Sequence, residues 1–270
     1  MAGVFFELER VSYSYLGKIP ALCAVDLAIA GGSKVAIIGA NGTGKSTLLT
    51  MLDALIFPDK GIIRAFGREL KESLLDEPGF AREFRKKVGF VFQNSDIQLF
   101  CPTVKEDIIF GPLQLGAPAD KINERLDELA DILKITHLLE RSPHQLSIGE
   151  KKKVAIASVL AINPEVLLLD EPTAGLDPQT ARDIVDILLA ENENGKTIVT
   201  ATHDLHNVGE IADTVHVFGA DKKIIRSAAS QEVLSDQGFL EAHNLVHLHR
   251  HKHEDKVHIH PHRHLEHHQE

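Results

Sequence analysis

Residues 34–49 read KVAIIGANGTGKSTLL, and this stretch decides the fold. KVAIIG (34–39) is a near-continuous apolar run of strand length. Such a run suits a parallel strand buried on both faces. Gly39-Ala40-Asn41-Gly42-Thr43-Gly44-Lys45-Ser46-Thr47 then matches G-x-x-x-x-G-K-[ST]. The glycines let backbone N–H groups turn inward around phosphate oxygens, with no Cβ in the way. Leu48, Leu49 and Leu52 open a helix, whose N-terminal dipole favours an anion. In a loop of this kind the lysine, Lys45, reaches the β- and γ-phosphates, and the Ser46 hydroxyl ligates Mg²⁺.

Outward from the loop the same strand pattern recurs at VGFVF (88–92), VLLLD (166–170) and TIVTATH (197–203). Helical periods lie between. In KINERLDELADILKI (121–135), Ile122, Leu126, Leu129 and Leu133 mark one helix face. IVDILLAEN (184–192) stops at Asn194-Gly195, a helix C-terminal signal. Alternating strands and helices predict an α/β fold with a mostly parallel sheet. Residues 1–35 alternate short apolar stretches with turns, which predicts an N-terminal antiparallel β subdomain. Residues 94–160 read as an inserted helical subdomain. Asp170 ends VLLLD, and a carboxylate at that end of a parallel strand lies where such sheets bind ligands. One carboxylate beside a metal and the next, Glu171, free to orient a water make a hydrolysis pair.

The chain has 270 residues and 29.7 kDa, 43% apolar and 25% charged, enough to bury a real core. Its net charge of −10 argues against nucleic acid as a partner. Two cysteines, Cys23 and Cys101, build no disulfide framework, so a reducing compartment is expected. MAGVFFELER turns polar too early for a signal peptide, and no apolar run reaches the roughly 18 residues of a membrane span. Histidine is the odd count, at 16, and eleven lie after residue 240. The expected division is therefore a domain over 1–240 and a His-rich tail over 241–270.

Taken in order, the motifs resemble those of the ATP-binding-cassette (ABC) ATPases over about residues 3–240, a P-loop NTPase fold. Gln93 in VFQNSDIQLF resembles the Q-loop, and Leu146-Ser147-Ile148-Gly149-Glu150 the signature, usually LSGGQ. Asp170-Glu171 resemble the Walker B pair, Ala174-Gly175-Leu176-Asp177 the D-loop, and His203 the switch histidine. Tyr15, thirty residues before Lys45, matches the aromatic that stacks on adenine. The resemblance implies ATP and Mg²⁺ as cofactors, with Ser46, Gln93 and Asp170 around the metal. It implies Glu171, His203, Lys45 and Gln93 as catalytic, and residues 39–47, Tyr15, Ser147, Gly149 and Asp177 at ATP. Two cassettes pack head to tail in this family, each ATP lying between one P-loop and the other chain's signature. With one of each here, a second ATPase subunit is implied, a homodimer first. Ile148 and Glu150 depart from the signature. Ile148 adds bulk where backbone must approach nucleotide, while Ser147 keeps the ability to cap the following helix.

QNSDIQLFCPTVKEDIIFG (93–111), with Asp96, Gln98, Leu99 and Phe100, resembles the energy-coupling-factor importers, especially the cobalt and nickel group. SQEVLSDQGFLEAHNL (230–245) resembles their short C-terminal helices. This implies an importer ATPase at the cytoplasmic face of the membrane, peripheral, with integral membrane coupling and substrate-binding subunits as partners. The tail carries two H-x-H-x-H-x-H series: His247, His249, His251 and His253, then His258, His260, His262 and His264. Extended, each series lies on one side of the chain, and neutral imidazoles suit Ni²⁺ or Co²⁺. No fixed geometry is expected of it, because it lacks a core-forming pattern. Two other readings stay open. One is an importer ATPase for a vitamin or an amino acid. The other is a metal-storage or metal-sensing protein acting through the tail.

Overall fold

The computed structural model describes residues 3–246, and the backbone alone of two tail strands, Leu248–His253 and Lys256–Pro261. The chain opens with β1 (Val4–Tyr15) and β2 (Ile19–Ala30), an antiparallel pair. β3 (Lys34–Ile38) leads through the glycine loop into α1 (Lys45–Leu52). β4 (Lys60–Ala65) and β5 (Arg68–Glu69) return to β1 and give a four-stranded sheet ordered β2-β1-β4-β5. α2 (Glu72–Leu75) and α3 (Pro78–Lys87) precede β6 (Val88–Val91). The helical insertion carries α4 (Val104–Gln114), α5 (Ala119–Ile132) and α6 (Ile148–Leu160). Then come β7 (Val166–Asp170), α7 (Pro178–Glu193), β8 (Thr197–Thr202), α8 (Val208–Ile211), β9 (Thr214–Phe218) and β10 (Ile224–Ala229). α9 (Ser230–Ser235) and α10 (Gln237–Ala242) close the packed body.

The second sheet runs β10-β9-β3-β8-β7-β6. Its strands β9, β3, β8, β7 and β6 are parallel, and β10 pairs antiparallel at the edge. The fold class is α/β, as the sequence predicts. The apolar runs explain the layering. Along β7, Val166 and Leu168 enter the core shared with α1 and the antiparallel sheet. Leu167 and Leu169 enter the opposite core, with α6, α7 and the insertion. Side chains alternate across a strand, so a run apolar at every position can serve two cores at once.

Connection order places the loops that matter. The chain leaves β3, builds β6 and β7 on one side, and returns through β8 to lie between β7 and β3. The carboxyl ends of β3, β7 and β8 are thus neighbours, the place where open α/β sheets bind ligands.

The body runs a little past the expected boundary at 240: Leu245 and Val246 pack on a third core formed by Val208, Val215, Val233 and Leu240. In the tail the two strands pair antiparallel, with His249 opposite His260 and His251 opposite His258. The sequence reading expects no fixed geometry there. Alternation of Val257 and Ile259 with histidine supplies the strand period of two that the extended H-x-H series already allows.

Candidate functional site

The loop after β3 is shaped by glycine. Gly44 has φ 114° and Gly42 φ 77°, in the left-handed region that favours a residue without Cβ. A Cβ on Gly39 would stand 2.9 Å from the Phe218 carbonyl oxygen, so the turn also needs close backbone approach. Lys45 is buried, and its ammonium donates to the carbonyls of Gly39 at 2.8 Å and Ala40 at 3.2 Å. Burial pulls its pKa below the usual lysine value, while Glu171 and Asp170 oppose the shift. Tyr15 sits at the end of β1, half exposed, its hydroxyl 3.1 Å from Thr47 Oγ1. Its ring meets Tyr13 edge-on at 5.1 Å.

Asp170 ends β7 and Glu171 follows it, both buried. Burial pushes the Asp170 carboxyl up; the Ser46 hydroxyl, Lys45 and Lys152 counter it. Asp170 Oδ1 is buried without a hydrogen-bond partner among the described residues. A buried, unpartnered carboxylate oxygen beside a hydroxyl is an oxygen donor set that fits Mg²⁺.

Glu171 takes φ 45°, a left-handed conformation that costs a non-glycine residue about 1 kcal/mol or more. Its surroundings hold it there. Its N–H donates to Ala201 O at 2.9 Å, and Thr202 Oγ1 donates to Oε2 at 2.9 Å. Oε1 accepts the His203 N–H at 3.0 Å and lies 2.6 Å from His203 Nδ1. The sequence names Glu171 and His203 separately; the structure joins them as one hydrogen-bonded pair across β7 and β8.

Ser147 is the N-cap of α6 in a full capping box. It accepts the Glu150 N–H at 3.3 Å, and Glu150 Oε2 accepts both the Ser147 N–H and hydroxyl at 2.8 Å. These bonds hold the Glu150 carboxyl below the usual range. The glutamate that departs from the signature is thus the partner that completes the cap. Asp177 caps α7 by accepting the Thr180 N–H at 3.0 Å. Ser147, Ile148, Gly149, Gly175 and Asp177 line one cleft of about 430 Å³, and no residue of 39–47 is among its lining. The chain therefore separates its candidate ATP residues into two surfaces.

Gln93 is exposed just past β6, its backbone held by Lys152 and its neighbour Phe92 by Gln98. The sequence reading misses Lys152. Its signal is a lysine three and seven positions before Ala155 and Val159, on the apolar face of α6. The tail histidines fall otherwise. His247, His262 and His264 lie outside the described residues, and for His249, His251, His253, His258 and His260 only the backbone is described. Among the described residues, no cluster of three or more potential metal ligands occurs. Among the same residues, no helix is long and apolar enough to cross a membrane.

Residues 22–174 match the family model of the ABC transporter. A putative ABC transporter ATP-binding protein of Methanosarcina acetivorans is 47% identical over 254 residues, 93% of this chain and 92% of its own length. The nickel import ATP-binding protein NikO of Rhodobacter capsulatus is 46% identical over 244 residues, 89% of this chain and 95% of its own. Among solved structures, cbiO1 of Clostridium perfringens, part of the ABC transporter complex cbiONQ, superposes with a TM-score of 0.76. It is 35% identical and covers 90% of this chain and 95% of its own. This chain belongs to the ATP-binding cassettes of ABC transporters, and it is an ATPase.

Proposed function

We propose that the chain is the ATP-hydrolysing subunit of an importer for nickel or cobalt ions, working as a cassette dimer on membrane subunits. The observation that carries the ATPase half is the meeting of the P-loop, Asp170 and the Glu171–His203 pair at three adjacent strand ends. The metal half rests on likeness to a nickel import protein and to cbiO1, and on the eleven histidines after residue 240.

In this reading residues 39–47 wrap the phosphates, Lys45 lies along the β- and γ-phosphates, and Tyr15 stacks on adenine. Ser46, Asp170 and Gln93 hold Mg²⁺, which when bound neutralises phosphate charge. Glu171 orients a water toward the γ-phosphorus and takes its proton, while His203 steadies the γ-phosphate. The new P–O bond to water forms as the bridging bond to ADP breaks. Ser147, Gly149 and Asp177 act on the ATP of the partner cassette. Release of phosphate then parts the two chains, an order-and-release switch.

Exposed Phe100 (66%) and Phe110 (40%) meet edge-on at 5.0 Å beside the Q-loop. They support docking of a membrane subunit there, with the chain peripheral at the cytoplasmic face. The tail histidines are read as a chelating appendage for Ni²⁺ or Co²⁺. The test is uptake of radioactive nickel and cobalt by cells that carry this chain with its membrane partners. Uptake that Glu171→Gln abolishes is the expected result. Uptake indifferent to Glu171→Gln, or a transporter that moves neither ion, would reject the reading.

A further inference from the structure

Between Gln93 and the helix that carries Ser147 lies a set of contacts that the ATPase motifs do not use. Lys152 is only 3% exposed, on the buried face of α6. Its ammonium donates to the carbonyls of Phe92 at 3.0 Å and Gln93 at 2.8 Å. Gln98 closes the other side. Its Oε1 accepts the Phe92 N–H at 3.1 Å, and its Nε2 donates to Ala155 O at 2.8 Å and Ser158 Oγ at 3.2 Å. Lys152, Ala155 and Ser158 are spaced by three, so one face of one helix receives the whole segment. Lys151 and Asp96 add an ion pair at 2.6 Å, exposed and worth little.

A buried ammonium is costly unless hydrogen bonds replace its water. Lysine offers three donors around one compact charge, and two are spent on consecutive carbonyls of the strand exit. No apolar residue of similar length could satisfy those carbonyls. We propose that Lys152 and Gln98 form a clamp that fixes the Gln93 backbone to the signature helix, so that Gln93 and Ser147 are placed together. Ser147 caps the same helix five residues before Lys152. A rigid helix then carries any rotation of the insertion to both residues at once. Lys152 and Gln98 are positioning residues; Lys152 also sets its charge near Asp170 and Glu171, whereas Gln98 carries no charge, so a loss in Gln98→Leu reads positioning alone. The inference rests on the assignment of Gln93 to the ATP site.

The test is steady-state ATP turnover by the full-length chain, with equilibrium binding of a fluorescent ATP analogue and a melting curve for each variant. Lys152→Met should lower kcat about tenfold or more, with KM for ATP within about twofold of wild type. Lys152→Arg, which keeps the donors, should recover most of kcat. Gln98→Leu should lower kcat less, and the Lys152→Met/Gln98→Leu pair should lose no more than Lys152→Met alone, since both break one clamp. Wild-type kcat in Lys152→Met overturns the clamp. So does an equal loss in Lys152→Arg and Lys152→Met when both melt like wild type, or a loss confined to KM. Gln93→Ala separates the two claims. If it is inactive while Lys152→Met is not, the clamp fails and the Gln93 assignment stands. If Gln93→Ala turns over like wild type, the assignment fails and the clamp with it.

Discussion

Lys45 and Ser147 stand on the two surfaces assigned to ATP, and the chain builds those surfaces on opposite plans. Lys45 is buried between strand ends, its ammonium held by carbonyls of its own loop, with Asp170 and Glu171 close by. Ser147 stands at an exposed helix end, its side chain held by the glutamate one turn on. The first surface gathers within one chain the residues proposed as donors, metal ligands and base. The second has an N-cap, a glycine and, at Ile148, an apolar side chain that is 70% exposed. On the proposed reading a surface so open and so sparsely furnished is half of a site. The contrast then makes ATP binding a property of one chain, and hydrolysis a property of two.

The largest effect is expected at the first surface. Glu171→Gln should lower turnover by about 10²–10⁴-fold, the usual worth of a general base. It should leave ATP affinity intact and hold the ATP-bound chains as a dimer, readable by phosphate release and light scattering. At the second surface, Ser147→Ala removes one helix cap, worth about 1 kcal/mol, which is a fall in Tm of about 2–4 °C. ATP affinity of the single chain should not change, although turnover should fall. Loss of affinity would place Ser147 on the first surface.

A smaller effect separates the fold from the site. His216 is buried on β9, its Nδ1 2.8 Å from Ser227 Oγ, and burial lowers its pKa to about 4. Unfolded histidine titrates near 6.5, so between those values the unfolded chain binds the extra proton. This contribution to stability is full above about 6.5 and is lost as pH falls toward 4. His216→Gln should flatten that part of the stability curve, measured by urea unfolding at several pH values. The smallest effect is expected at the tail. Deleting residues 247–270 should leave ATP turnover unchanged and remove nickel and cobalt binding seen by calorimetry. Unchanged metal binding would strip the tail of the role proposed for it.

What was legible in the sequence follows from what each residue interacts with. KVAIIG and VLLLD announce buried parallel strands because each holds four consecutive apolar residues, and each strand feeds two cores: Val35 and Ile37 one, Ala36 and Ile38 another, as Val166 and Leu168 face away from Leu167 and Leu169. The P-loop is readable because its geometry depends on glycines at fixed spacing. β9 and β10 escape notice because His216 in β9 and Arg226-Ser227 in β10 interrupt the continuous apolar run by which the other strands of that sheet are read. The Glu171–His203 contact joins residues 32 apart and depends on β8 settling beside β7, which periodicity does not encode. Lys152 hides for a related reason. In a run of three lysines it reads as solvated surface, and only the strand exit above α6 gives it carbonyls to hold.

On the proposed reading each hydrolytic site takes its P-loop from one chain and its signature from another. Lys45→Ala disables the first surface and Ser147→Arg the second, so each variant alone should be inactive. Mixed in equal amounts, they form heterodimers that hold one complete site between them. Turnover should then return, to roughly a quarter of the wild-type rate if chains pair at random. A mixture as inactive as its components would mean that the two surfaces do not meet across chains.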